Sequence, residues 1–178
     1  MFMFDNLKNL CLIDGVSGNE GAVSEFIINE ISPYAECYID PLGNVIAHKK
    51  GAQKAAKRVL FDAHMDEVGF MVREITEKGM LQFATVGSVD PRVMIGRKLK
   101  VGPKKLPGII SLKAIHLTTP KERTVAPSAT ALYIDIGASS KAEAERYVMV
   151  GDPCYFDSPF EEFGTGRIKS KAIDDRIG

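Results

Sequence analysis

Val59-Leu60-Phe61-Asp62-Ala63-His64-Met65-Asp66-Glu67-Val68-Gly69 is the stretch on which the reading of the fold turns. Val59 to Ala63 is short and almost wholly apolar, the pattern of a strand buried on both faces inside an α/β sheet. It runs into His64 and Asp66, two residues apart and therefore on one side of an extended chain. In α/β sheets, binding sites lie at the ends of such strands. A neutral imidazole is a good ligand for a divalent metal, and a carboxylate on its second nitrogen fixes the tautomer. His64 is thus a candidate metal ligand and Asp66 its candidate orienting partner. The alternative is a surface polar pair, because His-x-Asp alone arises often by chance.

Before this stretch, apolar residues recur at helical intervals, Phe4, Leu7, Leu10 and Cys11, and predict a first amphipathic helix over Phe4 to Ile13. Ser17-Gly18-Asn19-Glu20 has the spacing of a capping box, with Val23, Phe26, Ile27 and Ile31 forming the apolar stripe of a second helix that stops before Pro33. Glu36 to Ile39 and Asn44 to His48 read as short strands joined by the turn Asp40-Pro41-Leu42-Gly43. The basic stretch Lys49 to Arg58 reads as a solvated loop.

After Asp66 the texture changes. Gly69 to Ile75, Leu81 to Val86, Arg97 to Val101 and Gly108 to Ser111 are strand candidates separated by turn dipeptides such as Lys78-Gly79, Asp90-Pro91 and Pro107-Gly108. Strands this short and closely spaced predict a small β-barrel or sandwich rather than βαβ units. Thr118 to Ser128 reads as an exposed loop, Leu132 to Gly137 as a strand, and Ser139 to Val148 as a capped helix. Asp152 to Phe156 and Gly166 to Ile173 read as further strands. An α/β start, a β-rich middle and a return at the end suggest one α/β domain split by an insertion. The sheet begun before Asp66, with only about three strands, is too small to stand alone.

Composition limits the function classes. The chain has 23 Lys and Arg against 23 Asp and Glu, so it carries no electrostatic footprint for nucleic acid or anionic lipid. Cys11, Cys37 and Cys154 have neither zinc spacing nor a disulfide framework, which fits a reducing cytoplasm. No membrane-spanning run and no signal peptide are expected. His48 and His116 are assigned no role.

A second acidic element is Lys171-Ala172-Ile173-Asp174-Asp175-Arg176. Two adjacent carboxylates after an apolar strand repel one another unless a cation or hydrogen-bond donors compensate them. A carboxylate can bridge two zinc ions by supplying one oxygen to each. Equally, the pair can be the acidic first turn of a helix, favoured by the dipole.

Five ordered motifs now become familiar: Ser17-Gly18-Asn19-Glu20; Asp40-x-x-Gly43-Asn44-Val45; Asp62-Ala63-His64-Met65-Asp66-Glu67-Val68-Gly69-Phe70; Tyr133 to Ser140; and Lys171 to Gly178. Together they resemble the dinuclear-metal aminopeptidases that include the tetrahedral (TET) and glutamyl aminopeptidases, some members of which have carried an endoglucanase label. The resemblance spans the whole chain. It implies an α/β/α zinc-aminopeptidase catalytic domain, residues 1–66 and 164–178, interrupted by a PDZ-like β-barrel dimerisation domain over residues 67–163. It implies that His64 binds one metal, that Asp174 bridges both, that Asp175 follows across what is often a cis peptide, and that Asp66 orients His64.

The implied activity is removal of N-terminal residues from peptides in the cytoplasm. Two divalent ions, zinc or cobalt, would activate a water there. The implied assembly is a homo-oligomer built from dimers, up to a dodecamer. In such enzymes the general base belongs to a Glu-Glu pair beyond the Asp-Asp motif, followed by a further carboxylate ligand and a final histidine. None of these is in this sequence, so the ligand set is incomplete and the chain alone is expected to be inactive. Two alternatives stand beside this reading: a non-catalytic subunit-assembly module, and a glycan hydrolase matching the endoglucanase label.

Overall fold

The computed structural model describes residues 2–53 and 56–178. Lys54 and Ala55, within the expected basic loop, and Met1 lie outside them. The chain divides into two compact units: residues up to Asp66 together with Phe160–Gly178, and Glu67–Pro159.

The first unit opens with helix α1 (Phe2–Leu12) and helix α2 (Gly21–Ile31). Their apolar stripes bury Cys11 and Val23, and Val16 in the connection is also buried. Asn6 Nδ2 donates to Glu30 Oε2 at 2.9 Å, joining the two helices. Strands β1 (Glu36–Ile39) and β2 (Val45–His48) form an antiparallel hairpin against which α2 packs. Asp40 closes its turn by accepting from Leu42 N, Asn44 N and Asn44 Nδ2. These donors, led by the Asn44 side chain, lower the Asp40 pKa.

Two sequence expectations fail in this unit. Ser17 and Glu20 form no capping box: Glu20 is itself the N-cap of α2 and makes no side-chain cap, its Oε1 instead accepting from Gly18 N at 2.8 Å. Val59 to Ala63 forms no strand. Val59, Leu60 and Phe61 are 77%, 89% and 91% exposed, and no described strand pairs with them. A buried strand is a product of its neighbours on either edge and both faces; an apolar run without them has no ladder to join.

The second unit is a closed six-stranded barrel in the order β3-β4-β7-β6-β5-β8. Its strands are β3 (Gly69–Ile75), β4 (Leu81–Val86), β5 (Lys98–Val101), β6 (Leu106–Ser111), β7 (Tyr133–Asp135) and β8 (Pro153–Phe156). β3 pairs antiparallel with β4, and Phe70 opposite Cys154 closes the barrel through β8. Closure leaves no edge strand, the solution expected for short antiparallel strands.

Alternate residues fill the barrel interior: Phe70 and Val72 from β3, Leu81 and Phe83 from β4, Leu99 and Val101 from β5, with Ile110, Ile134 and Cys154 from the other strands. The Phe70 ring meets Phe83 and Phe156 edge-on at 4.9 and 5.1 Å between centroids, the geometry that aromatic quadrupoles favour. Burial of the Cys154 thiol, aided by the Asp152 charge, pushes its pKa up to about 12. Two short helices, α3 (Pro91–Met94) and α4 (Lys141–Ala144), add Met94 and Ala144 to this core. α4 is shorter than the helix expected to reach Val148. The Thr118 to Ser128 loop is flanked and interrupted by three 3-10 turns.

β9 (Glu161–Phe163) pairs antiparallel with β10 (Arg167–Lys169), and this hairpin belongs with the residues before Asp66 rather than with the barrel.

Candidate metal centre

The chain's last turn, Ile173–Arg176, carries the second acidic element. Asp174 (φ −90°, ψ 110°) and Asp175 (φ −120°, ψ 42°) leave the helical region, and the peptide between them is cis. The acidic pair is therefore not the first turn of a regular helix. Ala172, just before it, holds a positive φ of 56°, a strained conformation for a residue with a Cβ.

His64 stands between two carboxylates. Its Nδ1 lies 3.0 Å from Asp66 Oδ1, and its Nε2 lies 3.0 Å from Asp174 Oδ1. Asp66 is in turn held by Ser17, whose hydroxyl donates to Asp66 Oδ2. Residues from three separate segments, the α1–α2 connection, the exposed apolar run and the last turn, thus converge on one imidazole.

The electrostatics follow from these contacts. The hydrogen bond to Asp174, reinforced by that to Asp66, raises the His64 pKa; burial opposes it. The Ser17 hydroxyl, followed by His64, lowers the Asp66 pKa. A ring whose two nitrogens both face carboxylate oxygens holds its second proton tightly. A cation shared with Asp174 would displace any proton carried at Nε2.

The donors can be tested for fit to a divalent metal. Imidazole nitrogen and carboxylate oxygen are ligands that zinc and cobalt accept, and Nε2 and Asp174 Oδ1 are close enough to share one ion. Asp66 is bonded to the opposite ring nitrogen and cannot share it, which suits an orienting role. The Asp175 carboxylate lies against Gly178. Among the described residues, no group of three or more His, Cys, Asp and Glu side chains could hold a metal ion. The pair fits a metal as part of a ligand set, not as a whole one.

The scaffold behind the site is polar and buried. Lys171 Nζ bonds Asp14 Oδ1 at 2.6 Å. Arg176 donates from Nε to Met65 O at 2.6 Å and from Nη1 to Leu10 O at 2.5 Å and Ile13 O at 3.2 Å. Arg176 thus ties the last turn both to the end of α1 and to the residue between His64 and Asp66. Sequence reasoning missed Ser17 as a site residue because its spacing to Glu20 matched a cap. It missed Asp14, Lys171 and Arg176 because charged residues read as solvated by default.

A family model described as M42 glutamyl aminopeptidase matches residues 43–178. The crystal structure of a TET aminopeptidase from a marine-sediment Thaumarchaeota archaeon is 38% identical and superposes with a TM-score of 0.93, covering 99% of this chain and 51% of that one. A Thermotoga maritima structure named endoglucanase is 41% identical, with a TM-score of 0.82, over 97% of this chain and 50% of that one. The Pyrococcus horikoshii TET1 peptidase, described as assembling into a tetrahedron or a large octahedral shell, is 35% identical with a TM-score of 0.86, over 98% and 52%. The chain spans about half the length of the curated relatives it matches.

Proposed function

The chain belongs to the M42 glutamyl aminopeptidase family, and from that premise we propose that it is the N-terminal part of a metal-dependent aminopeptidase acting on peptides. The observation that carries the reading is His64 held between Asp66 and Asp174, 3.0 Å from each. His64 and Asp174 are the residues of this chain that would hold divalent metal, zinc or cobalt, with Asp174 the carboxylate that two ions would share. Asp66 is the catalytic-site residue that orients His64.

Bound metal in such a centre lowers the pKa of a water and polarises the scissile carbonyl. The residues of this chain prepare for that. Asp66 accepts the Nδ1 proton of His64, which commits the ring's other lone pair to Nε2. Asp174, 94% exposed in its side chain, keeps its carboxylate open beside that lone pair. Proton abstraction from water and its return to the leaving amine would fall to a general base, which on this reading lies in further chain.

The barrel, Glu67–Pro159, is on this reading the domain through which subunits pair, giving a dimer as the building block of larger TET-like shells. The protein would work in the cytoplasm; no helix among the described residues is long and apolar enough to cross a membrane. A barrel acting only in assembly is the alternative. Glycan hydrolysis, suggested by the endoglucanase name, is disfavoured because such enzymes place two carboxylates on either side of a sugar, whereas Asp66 and Asp174 both face one imidazole.

The test uses hydrolysis of aminoacyl-p-nitroanilides with added zinc or cobalt. The 178-residue chain is expected to show none. The gene product continuing past Gly178 is expected to be active, and His64→Ala or Asp174→Ala to abolish that activity. Full activity in both variants would overturn the assignment.

A further inference from the structure

Ser17 is an exposed residue in a tight turn. Asn19 N donates to Val16 O at 2.8 Å, and Gly18 holds a φ of +85°, which a side-chain-bearing residue adopts only with strain. Glu20 Oε1 secures the turn by accepting from Gly18 N. The turn thus presents Ser17 at a fixed place, and its hydroxyl donates to Asp66 Oδ2, 49 residues away in sequence.

We infer that Ser17 is a positioning residue for the metal centre: by fixing the Asp66 carboxylate it sets the tautomer of His64 and frees Nε2 toward Asp174. This inference rests on the metal-site reading above. A neutral imidazole has one N–H and two carboxylates within reach, so the better-held acceptor decides where the proton sits. Asp174 is 94% exposed and open to water, while Asp66 is 37% exposed and has one oxygen pinned by Ser17. With Oδ2 occupied, Oδ1 is left facing Nδ1. Without the hydroxyl, Asp66 rotates about its side-chain bonds, and the proton goes to Nε2 and Asp174. That is the wrong nitrogen for a ligand.

The experiment compares the 178-residue chain with Ser17→Ala and Ser17→Thr by long-range proton–nitrogen correlation spectra of the histidine rings. It is run at a pH where His64 is neutral, with His64→Ala to assign its signals among the three histidines. Wild type is expected to be predominantly protonated on Nδ1. Ser17→Ala should move the population toward Nε2–H and weaken the response of the ring to zinc chloride about tenfold, the scale of losing a ligand's partner. Ser17→Thr, which keeps the hydroxyl, should restore both. A Ser17→Ala chain with the wild-type tautomer ratio overturns the inference, even if its melting temperature falls, because a purely structural role lowers stability without moving the ring proton. The two readings separate cleanly. A wild-type His64 that ignores zinc overturns the metal site, and the tautomer comparison still decides Ser17.

Discussion

Lys171 Nζ lies 2.6 Å from Asp14 Oδ1, and both side chains are shut away from water, at 5% and 3% exposure. The pair joins the end of α1 to the chain three residues before Asp174. It is therefore part of what brings one half of the candidate metal centre to the other. A charge is costly in such a place unless it keeps its partner.

Removing one partner should consequently be more damaging than removing both. Lys171→Met is expected to destabilise the first unit by about 3–5 kcal/mol, since it takes from the buried Asp14 carboxylate the ammonium 2.6 Å away. Asp14→Leu should cost a similar amount. The double variant should lose much less than the sum, because an apolar pair can fill the same space. Urea unfolding followed by circular dichroism measures this, and strictly additive losses would contradict the buried-pair account.

In the barrel, Gly79 closes the β3–β4 hairpin with a φ of +79°, and a Cβ added there would stand 2.7 Å from Ala138 O. Both the backbone conformation and the space exclude a side chain. Gly79→Ala should therefore cost at least about 1–2 kcal/mol, above the entropy it removes from the unfolded chain. A variant as stable as wild type in thermal unfolding would show that the hairpin accommodates the methyl group.

The contrast between the two units explains how much was legible in the sequence. The barrel strands β3 and β4 were readable to the residue, because they pair with each other across a short hairpin and the punctuation is local turn chemistry. The hairpin β1–β2 was readable for the same reason. Val59 to Ala63 was not, since an apolar run records the environment it is suited to, not whether neighbours are there to supply it. At the site, His64, Asp66 and Asp174 stood out as polar residues ending apolar runs. Ser17 did not, because its 49-residue jump to Asp66 leaves no local trace and Glu20 offered a nearer partner. Arg176 bonds backbone carbonyls, and a carbonyl has no sequence signature at all.

Asp90 gives a pH-dependent contribution whose sign can be worked out. It caps α3 by accepting from Arg92 N, and the Arg92 guanidinium, its leading partner, holds its pKa at about 2 against an ordinary 3.8. A folded-state pKa below the unfolded one means stability that is fully present above 3.8 and is lost as pH falls through about 2. The Asp90 carboxyl carbon followed by NMR should titrate near 2 in wild type and move upward in Arg92→Ala. A wild-type midpoint near 3.8 would rule the cap pairing out.

The exposed apolar run is also the place where the chain should be cut first. Chymotrypsin needs a few residues of unpaired backbone and a large apolar side chain, and Leu60 and Phe61 offer both at 89% and 91% exposure. Exposed apolar residues within strands are poorer targets. Tyr38 and Ile39 are tied into the β1–β2 ladder, and Met71 and Ile109 into the barrel. Limited proteolysis with mass spectrometry should therefore release an early break after Leu60 or Phe61, at low protease and before any cut in the barrel strands. In the gene product continuing past Gly178 the same peptide bonds should resist, because a run this apolar suits the middle of a sheet and further chain would supply its neighbours. Equal cutting in both proteins would show that Val59 to Ala63 stays a surface loop, and that the first unit gains no strands around it.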